Sequence, residues 1–331
     1  MNMKTILTRG ETKMKGVRIF LLFFFGICMN AAVNGSIISV SFSPDGKQAL
    51  SGSYDGIRLW DIATGREIRT FRGEKVINTV CFSPDGKQAL SGSDDGTITL
   101  WDVTTGREIR TFKGHGRRVK SVCFSPDGKQ ALSGCAAPFT SERMKLWEIA
   151  TGREIRTFSS VNSSDVYDLS FSPNGKQALC AAGWGNIYLW DINKGLEIRT
   201  FEGDISGGTT AICFSPNGKQ ALSGSYDGAV QLWNITNGRE IRTFKGHKDC
   251  IRSVCFSPNG KQALSGSDDG TIKLWDIKTG REIRIFEGHV DRVNSVCFSP
   301  NGKQALSGSS DDTMKLWDIT TGRVVRTFTT F

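Results

Sequence analysis

Apolar and polar residues alternate in short stretches along most of the chain, with turn residues between the stretches about every ten positions. One region shows the pattern clearly. It predicts strands at Ile251–Phe256, Lys261–Ser267, Thr271–Ile277 and Arg281–Phe286, with an Asn-Gly hairpin signal at 259–260 between the first two. Because no helical periodicity interrupts it, this region is predicted to form a four-stranded antiparallel meander.

This predicted unit occurs seven times in the sequence. The motif F-S-P-[D/N]-G-K-Q-A-L marks the first turn of each copy, and L-W-[D/E/N]-[I/V] follows later in the same copy. The tryptophans of the second motif lie at positions 60, 101, 147, 190, 233, 275 and 317, which are 41 to 46 residues apart. Such a period indicates one structural unit that has been copied, and no single copy can bury its apolar face alone.

Seven such sheets cover each other's apolar faces best in a closed ring, because an open stack leaves two faces exposed. The motifs G-H, F-S-P-D-G and S-G-S-D-D-G-T-I-K-L-W-D resemble the WD repeat, so the chain is similar to WD40 β-propellers over residues 36 to 328. The resemblance implies an all-β fold, a single seven-bladed β-propeller with four antiparallel strands per blade, at 36–331. The phase of the copies predicts that each blade is built from contiguous chain. Closure of the ring would then depend on side-chain packing between the first and seventh sheets.

Residues 1–35 lie outside the repeat and have the pattern of a secretory signal peptide. Lys13, Lys15 and Arg18 come shortly before the apolar run Ile19–Met29, and small residues follow it. This run is shorter than the roughly 20 residues that a membrane span needs. We therefore expect export, to the periplasm or by secretion, with cleavage between Val33 and Ser36. A short membrane anchor through residues 19–33 is the alternative, and only then is membrane contact expected; a cytosolic protein with an unusual tail is a third possibility.

The net charge of +9 does not predict nucleic-acid binding. Outside residues 1–35, basic residues recur at two fixed places in each copy, a lysine after the first turn and an arginine on the predicted outer strand. Lysine and arginine at such places protect solvated turns and strand edges. No clustered basic run interleaved with aromatic residues occurs, so we expect no nucleic-acid partner.

The cysteines and histidines do not form the spacing of a metal site. Five of the nine cysteines occupy one repeated position, directly before the phenylalanine of the first strand, where a small residue would pack between neighbouring sheets. They are Cys81, Cys123, Cys213, Cys255 and Cys297. No C-x-x-C motif occurs, and the three histidines lie in three different copies. We therefore expect no metal and no cofactor.

The WD40 resemblance also implies a buried hydrogen-bond chain in each blade, made of a loop histidine, a second-strand serine, a turn aspartate and the tryptophan. The sixth copy has His247, Ser265, Asp269 and Trp275, and the seventh has His289, Ser307, Asp311 and Trp317. The third copy keeps the histidine without the aspartate, and the fourth keeps only its tryptophan.

Serine, histidine and aspartate together also suggest a hydrolase. The sequence contains no G-x-S-x-G elbow, and a buried indole N–H needs an acceptor within the blade. We therefore interpret these residues as structural, and we expect no catalytic residues and no enzyme activity.

The copies differ most between the second and third strands of the third and fourth copies. In the third copy this connection is four residues longer than in the sixth, and in the fourth copy Trp184 replaces the turn aspartate. Connections of this kind lie at the same end of the ring, so Phe139, Arg143 and Trp184 are expected to form one partner-binding surface. Tryptophan and arginine are typical interface anchors. The alternative is that Trp184 only packs over the edge of its own blade.

These observations together predict a non-catalytic scaffold, a monomeric propeller that binds a protein or peptide of unknown identity. The alternative is a propeller that binds a small ligand or a glycan at its central channel or its top face. That alternative requires polar and aromatic residues from several blades to converge around the axis, and the near-identical copies offer such variety at the third and fourth copies.

Overall fold

The computed structural model describes residues 35–71, 75–136, 143–158, 165–201 and 207–329. Within these ranges it contains seven sheets, each of four antiparallel strands whose order in the sheet follows their order in the chain. The predicted all-β fold of seven four-stranded blades is therefore confirmed, and each blade is built from contiguous chain. Residues 1–34, which include most of the predicted signal peptide, lie outside the described residues.

The strands have the following bounds. Blade 1 contains β1 Ile37–Phe42, β2 Gln48–Ser53, β3 Gly56–Asp61 and β4 Glu67–Phe71; blade 2 contains β5 Ile77–Phe82, β6 Gln88–Ser93, β7 Ile98–Asp102 and β8 Glu108–Phe112. Blade 3 contains β9 Val119–Phe124, β10 Gln130–Cys135, β11 Met144–Glu148 and β12 Glu154–Phe158; blade 4 contains β13 Val166–Phe171, β14 Gln177–Ala182, β15 Ile187–Asp191 and β16 Leu196–Phe201. Blade 5 contains β17 Thr209–Phe214, β18 Gln220–Ser225, β19 Val230–Asn234 and β20 Glu240–Phe244. Blade 6 contains β21 Ile251–Phe256, β22 Gln262–Ser267, β23 Ile272–Asp276 and β24 Glu282–Phe286; blade 7 contains β25 Val293–Phe298, β26 Gln304–Ser309, β27 Thr313–Asp318 and β28 Val324–Thr329. One 3-10 turn, Gly183–Gly185, separates β14 from β15.

The repeated F-S-P-[D/N]-G-K-Q motif is explained by the turn between the first and second strands. In blade 1 the Asp45 carboxylate accepts hydrogen bonds from the Ser43 hydroxyl at 2.6 Å and from the Lys47 N–H at 3.0 Å. Gly46 adopts φ 71°, a left-handed conformation that favours glycine. The serine, aspartate and glycine of the motif therefore each have a local role in turning the chain.

The core lies between the blades rather than within them. The tryptophan of each third strand contacts the phenylalanine of the preceding blade's fourth strand edge-on, as between Trp101 and Phe71 at 5.7 Å between ring centroids. The five repeated cysteines pack against these clusters between neighbouring sheets, as predicted. Within the described residues, no helix is long and apolar enough to span a membrane.

Two belts of hydrogen bonds join the blades outside this core. In the inner belt, a first-strand side chain accepts the N–H of the next blade's first strand in six of the seven blades, as Ser39 does from Val80 at 3.1 Å. Blade 5 has Ala211 at this position and lacks the bond. In the outer belt, the fourth-strand arginines donate to backbone carbonyls in the next blade's turn between its third and fourth strands. These arginines are Arg69, Arg110, Arg156, Arg199, Arg242, Arg284 and Arg326. The interpretation of these arginines as edge protection alone was therefore incomplete, because each also joins two blades.

The ring closes from blade 7 to blade 1 through the same contacts that join other blades. Ser295 accepts the Val40 N–H at 3.1 Å in the inner belt, and Arg326 donates to the Thr64 carbonyl at 2.8 Å in the outer belt. Phe328 contacts Trp60 at 5.7 Å between ring centroids. Among the strands that the structure describes, none is exchanged across this seam, and closure depends on side chains as predicted.

Candidate functional site

The predicted hydrogen-bond chain of blade 6 is complete. The Trp275 indole N–H donates to the Ser265 hydroxyl oxygen at 2.8 Å, and that oxygen lies 2.8 Å from Nε2 of His247. Nδ1 of the same histidine lies 2.8 Å from the Asp269 carboxylate. The indole N–H can only donate, so the Ser265 oxygen accepts from it. The ionised Asp269 carboxylate can only accept, so His247 donates from Nδ1, and its Nε2 accepts the serine O–H. The chain therefore links the third strand to the loop that precedes the blade.

The electrostatics of this chain fit a neutral histidine beside an ionised aspartate. Burial lowers the pKa of His247, which opposes its protonation. Burial also acts against ionisation of Asp269, but hydrogen bonds from Thr271, the Lys248 N–H and His247 lower the pKa of that carboxyl to about 2. Blade 7 repeats the geometry, with His289 2.6 Å from Ser307 and 2.8 Å from Asp311, and with Trp317 2.7 Å from Ser307.

The other blades have shorter versions of the chain. In blade 3, His115 lies 2.6 Å from the Ser133 hydroxyl, and within the described residues its Nδ1 has no partner. Burial lowers the pKa of His115 to about 4. In blade 4, the Trp190 indole N–H has no acceptor in the part of the chain that is described, because Cys180 stands where the serine stands elsewhere.

This geometry does not support a hydrolase. The Ser265 and Ser307 side chains, which would be the nucleophiles, are both 0% exposed, and each accepts the indole N–H of its own blade. A substrate carbonyl has no route to either hydroxyl. The repeated serines, histidines and aspartates therefore serve the fold.

The predicted partner-binding surface of blades 3 and 4 is described only in part. Phe139 lies outside the described residues. Trp184 is the middle residue of the 3-10 turn, and this turn is anchored to blade 5 because the Gly185 carbonyl accepts the Thr209 hydroxyl at 3.0 Å. The turn replaces the aspartate-containing turn of blades 1, 2, 5, 6 and 7, as the sequence indicated.

The prediction that Arg143 contributes to this surface does not agree with the structure. Arg143 was expected beside Phe139 and Trp184 as an interface anchor, but its side chain is 0% exposed. Arg143 lies at the base of the long connection, where its carbonyl accepts the Cys135 N–H at 2.9 Å and completes the pairing of β10 with β11. Its guanidinium therefore does not contribute to the exposed surface of the structure.

A second variable position lies at the mouth of the central channel, and the sequence interpretation missed it. It is the second residue of each first strand, occupied in blade order by Ile38, Asn78, Lys120, Tyr167, Thr210, Arg252 and Asn294. These strands form the innermost ring, because each contacts the first strands of the two neighbouring blades. The signal was available, since these residues vary within a strand whose other positions are nearly repeated.

Most of these mouth residues have polar or aromatic partners on the same face. Asn78 donates to Asp94 at 2.6 Å, Asn294 donates to Ser310 at 3.0 Å, and Arg252 donates twice to Asp268 at 2.8 and 2.5 Å. Tyr167 contacts Tyr226 edge-on at 6.1 Å between ring centroids. The side chains of these four mouth residues are therefore paired with neighbouring side chains.

The described cysteines give no indication of a metal site or of a reactive thiol. Within the described residues, no group of three or more His, Cys, Asp or Glu side chains could hold a metal ion. Burial raises the pKa of Cys81 to about 12, and it raises the pKa of Cys213 and of Cys297 to about 12 as well. These thiols therefore stay protonated and unreactive at neutral pH.

Comparison with known families gives one result, a match to the WD40 family described as WD domain, G-beta repeat. Seven repeats match, at 29–61, 65–102, 106–148, 152–191, 195–234, 238–276 and 280–318. The chain belongs to the WD40 family. Each WD40 match after the first begins before a fourth strand and ends on the third strand of the next blade, so the repeat joins two blades. WD40 propellers commonly bind proteins or peptides and are typically non-catalytic. No curated protein matches the chain.

Proposed function

We propose that this WD40 protein is a non-catalytic, monomeric scaffold that binds a protein or peptide on the face that carries the blade 3 and blade 4 connections. One observation supports this most strongly. The repeated residues are used by the turns, the blade interfaces and the buried chains, whereas the departures from the repeat collect on this face. A partner that recognises one place on a near-symmetric ring needs such departures.

The features of this face fit a partner surface. Blade 3 has the longest connection between second and third strands, and blade 4 replaces the aspartate turn with Gly183–Gly185 around Trp184. The opposite face presents nearly the same F-S-P-[D/N]-G turn in every blade. The variable face therefore offers chemistry that differs from blade to blade, and we propose Phe139 and Trp184 as its aromatic anchors.

The small-ligand and glycan alternative has no comparable support. The polar side chains at the channel mouth that converge from several blades are largely paired with one another, as Asn78 is with Asp94 and Arg252 with Asp268. Paired groups of this kind are not available to coordinate a sugar or another small polar molecule without first losing their bonds.

Variants on the two faces test the proposed interaction. Trp184→Asp restores the turn residue of the other blades, and truncating an aromatic anchor commonly costs at least about 2 kcal/mol, roughly thirtyfold in affinity. We expect this variant to lose most of the protein that wild type captures from native extract, at an unchanged or higher melting temperature, with Phe139→Ser losing less. Lys176→Gln, on the opposite face, is the control and should capture normally. A Trp184→Asp protein that captures normally and melts lower would show that Trp184 is a packing residue.

We also propose that the protein is exported and that its signal peptide is removed. The proposal is supported by the basic start, the apolar run Ile19–Met29 and the small residues before Ser36. Mass spectrometry of the native protein should find a first residue between Val33 and Ser36. A native chain that retains Ile19–Met29 would contradict cleavage and favour the membrane anchor.

A further inference from the structure

Blade 3 lacks a partner that other blades have at the channel mouth. In blades 2, 6 and 7, the second residue of the first strand bonds the residue that directly follows the second strand. These pairs are Asn78 with Asp94, Arg252 with Asp268, and Asn294 with Ser310. In blade 3 the same two positions hold Lys120 and Ala136. A methyl group cannot accept a hydrogen bond, so the lysine lacks the partner that this place supplies in blades 2, 6 and 7.

Lys120 finds no replacement among the residues that the structure describes. Its side chain is half-buried, and no hydrogen bond or ion pair joins its ammonium group to any of them. Burial lowers the pKa of Lys120, and the charges of Arg118 and of Arg252, which belongs to blade 6 across the ring, lower it further. Asp94 and Asp165 act in the opposite direction. The ammonium is therefore partly desolvated, with no carboxylate in direct contact among the described residues, an arrangement that costs free energy in the unbound protein.

The neighbouring arginines cannot provide a second available cation. Arg118 holds Asp94 at 2.7 Å, and Arg252 holds both oxygens of Asp268. Tyr167, at the same strand position in blade 4, and Tyr226, which is 44% exposed, form an aromatic pair farther along the mouth. One unpaired ammonium at a mouth that also carries an aromatic pair suits a single carboxylate on a mostly apolar segment. A dianionic phosphate would require more than one unpaired cation.

We infer that the channel mouth at blade 3 is a subsite for one carboxylate of the bound partner, an aspartate or glutamate side chain that takes the place left by Ala136. This inference rests on the proposed interaction function. The Ala136 N–H bonds the Arg118 carbonyl at 3.0 Å, which places the subsite at the base of the long blade 3 connection. The partner's carboxylate would neutralise Lys120 while its neighbouring residues reach the variable connections on the same face.

Peptide selection tests the subsite directly. A random dodecapeptide display library is selected on the purified protein and, in parallel, on Lys120→Gln, Ala136→Asp and Lys129→Gln. Lys129→Gln makes the same chemical change in the same blade, but on the opposite face. Ala136→Asp fills the subsite with a carboxylate from the protein itself. We expect wild type and Lys129→Gln to enrich peptides with an acidic residue at one fixed position, and Lys120→Gln and Ala136→Asp to lose that acidic preference.

Synthetic peptides then measure the effect. The best enriched peptide is made with glutamate, glutamine or phosphoserine at the selected position. We expect glutamine to weaken binding to wild type about tenfold and to make little difference in Lys120→Gln, and we expect phosphoserine to bind no tighter than glutamate. Melting temperatures confirm that each variant is folded, and that of Ala136→Asp should rise because Lys120 gains a partner.

The outcomes separate the subsite from the wider function. Enriched peptides with no acidic position, or an acidic preference that survives in Lys120→Gln, would overturn the subsite and leave the interaction proposal standing. Phosphoserine that binds about tenfold tighter than glutamate would overturn the assignment to a carboxylate. A wild-type protein that enriches no peptide would contradict both proposals.

Discussion

At the scale of single residues, Asp312 has both an unfavourable backbone conformation and an unpaired side-chain oxygen. It is the one non-glycine residue in the described ranges with positive φ, at 65°, where blades 2, 5 and 6 have a glycine. Its Oδ1 is buried without a partner, and burial, together with the charges of Asp311, Asp55 and Asp291, raises its pKa. A glycine avoids both the backbone strain and the buried, unpaired Oδ1.

We expect Asp312→Gly to stabilise the protein by about 1 kcal/mol at neutral pH, because a left-handed conformation costs a non-glycine residue about that much. Asp312→Asn keeps the backbone strain and removes the charge, so it isolates the electrostatic part. A raised pKa in the folded state destabilises the fold only above the unfolded pKa of about 3.9, so the gain from Asn should disappear below that pH. Chemical denaturation measures both variants; an Asn gain that does not depend on pH would contradict the role of the charge.

His289 should be important for stability and not for binding. Removing it orphans the buried Ser307 and Asp311 groups, so His289→Ala should lower the free energy of unfolding by about 1–3 kcal/mol. His115→Ala is the matched control, because that histidine bonds Ser133 but no aspartate in the described residues, and it should cost less. Denaturation and partner capture are measured on both variants. Loss of capture with full stability in His289→Ala would show a functional histidine.

His115 should also make the fold sensitive to mild acid. Its pKa is about 4 when folded and about 6.5 when unfolded, so between these values the unfolded chain binds more protons than the folded one. Stability should therefore fall as the pH drops from about 6.5 to about 4, with a slope of up to about 1.4 kcal/mol per pH unit from this residue. The free energy of unfolding of His115→Gln should have a shallower pH dependence over that range. An unchanged slope would place the sensitivity elsewhere.

At the scale of elements, the sequence predicted the strand bounds well, but it did not predict which residues of neighbouring blades contact each other. β21 has the predicted bounds Ile251–Phe256, and β22, β23 and β24 begin one residue later than predicted, where the flanking turns take Lys261, Thr271 and Arg281. Alternation of apolar and polar residues shows which face of a strand is buried, but it does not show which residue of another blade lies against that face. The contact of each arginine with the next blade could therefore not be predicted.

The candidate site shows the same limit. The buried chains of blades 6 and 7 were predicted because family resemblance supplied all four positions at fixed offsets. The burial of Arg143 and the unpaired ammonium of Lys120 were not predicted, since both depend on how the third blade closes at its variable end. Ala136 can be recognised as a missing partner only by comparison with the hydrogen-bonded pairs at the same two positions in blades 2, 6 and 7.

The seam between blades 7 and 1 is the one that the chain itself does not join. Arg326→Gln removes the hydrogen bonds to Thr64 and Ala63 there, and Arg110→Gln removes the equivalent bonds to Thr151 and Ala150 at a seam that the chain does join. We expect Arg326→Gln to speed amide exchange in β1 and β28 about tenfold, or about 1.4 kcal/mol. The covalent link should keep exchange in β8 and β9 of Arg110→Gln close to wild type. Equal effects at both seams would show that the closing seam is not the weaker one.

At the scale of the whole molecule, the two faces of the ring have different roles in this account. The face with the F-S-P-[D/N]-G turns repeats one structural solution seven times, and the other face carries the departures in blades 3 and 4 and at the channel mouth. The repeat therefore supports the fold, and the departures from it would support recognition. A partner that gripped the repeated face would find nearly the same turn in each blade and could not select one orientation.

Amide hydrogen exchange of the protein, alone and with the partner that wild type captures, tests this division of the faces most directly. The account predicts slower exchange on binding in the segments around the variable face, at 118–121, 134–136 and 181–187, and no change in the opposite turns at 125–129 and 172–176. Protection of the opposite turns, with unchanged exchange at the blade 3 and blade 4 connections, would contradict it.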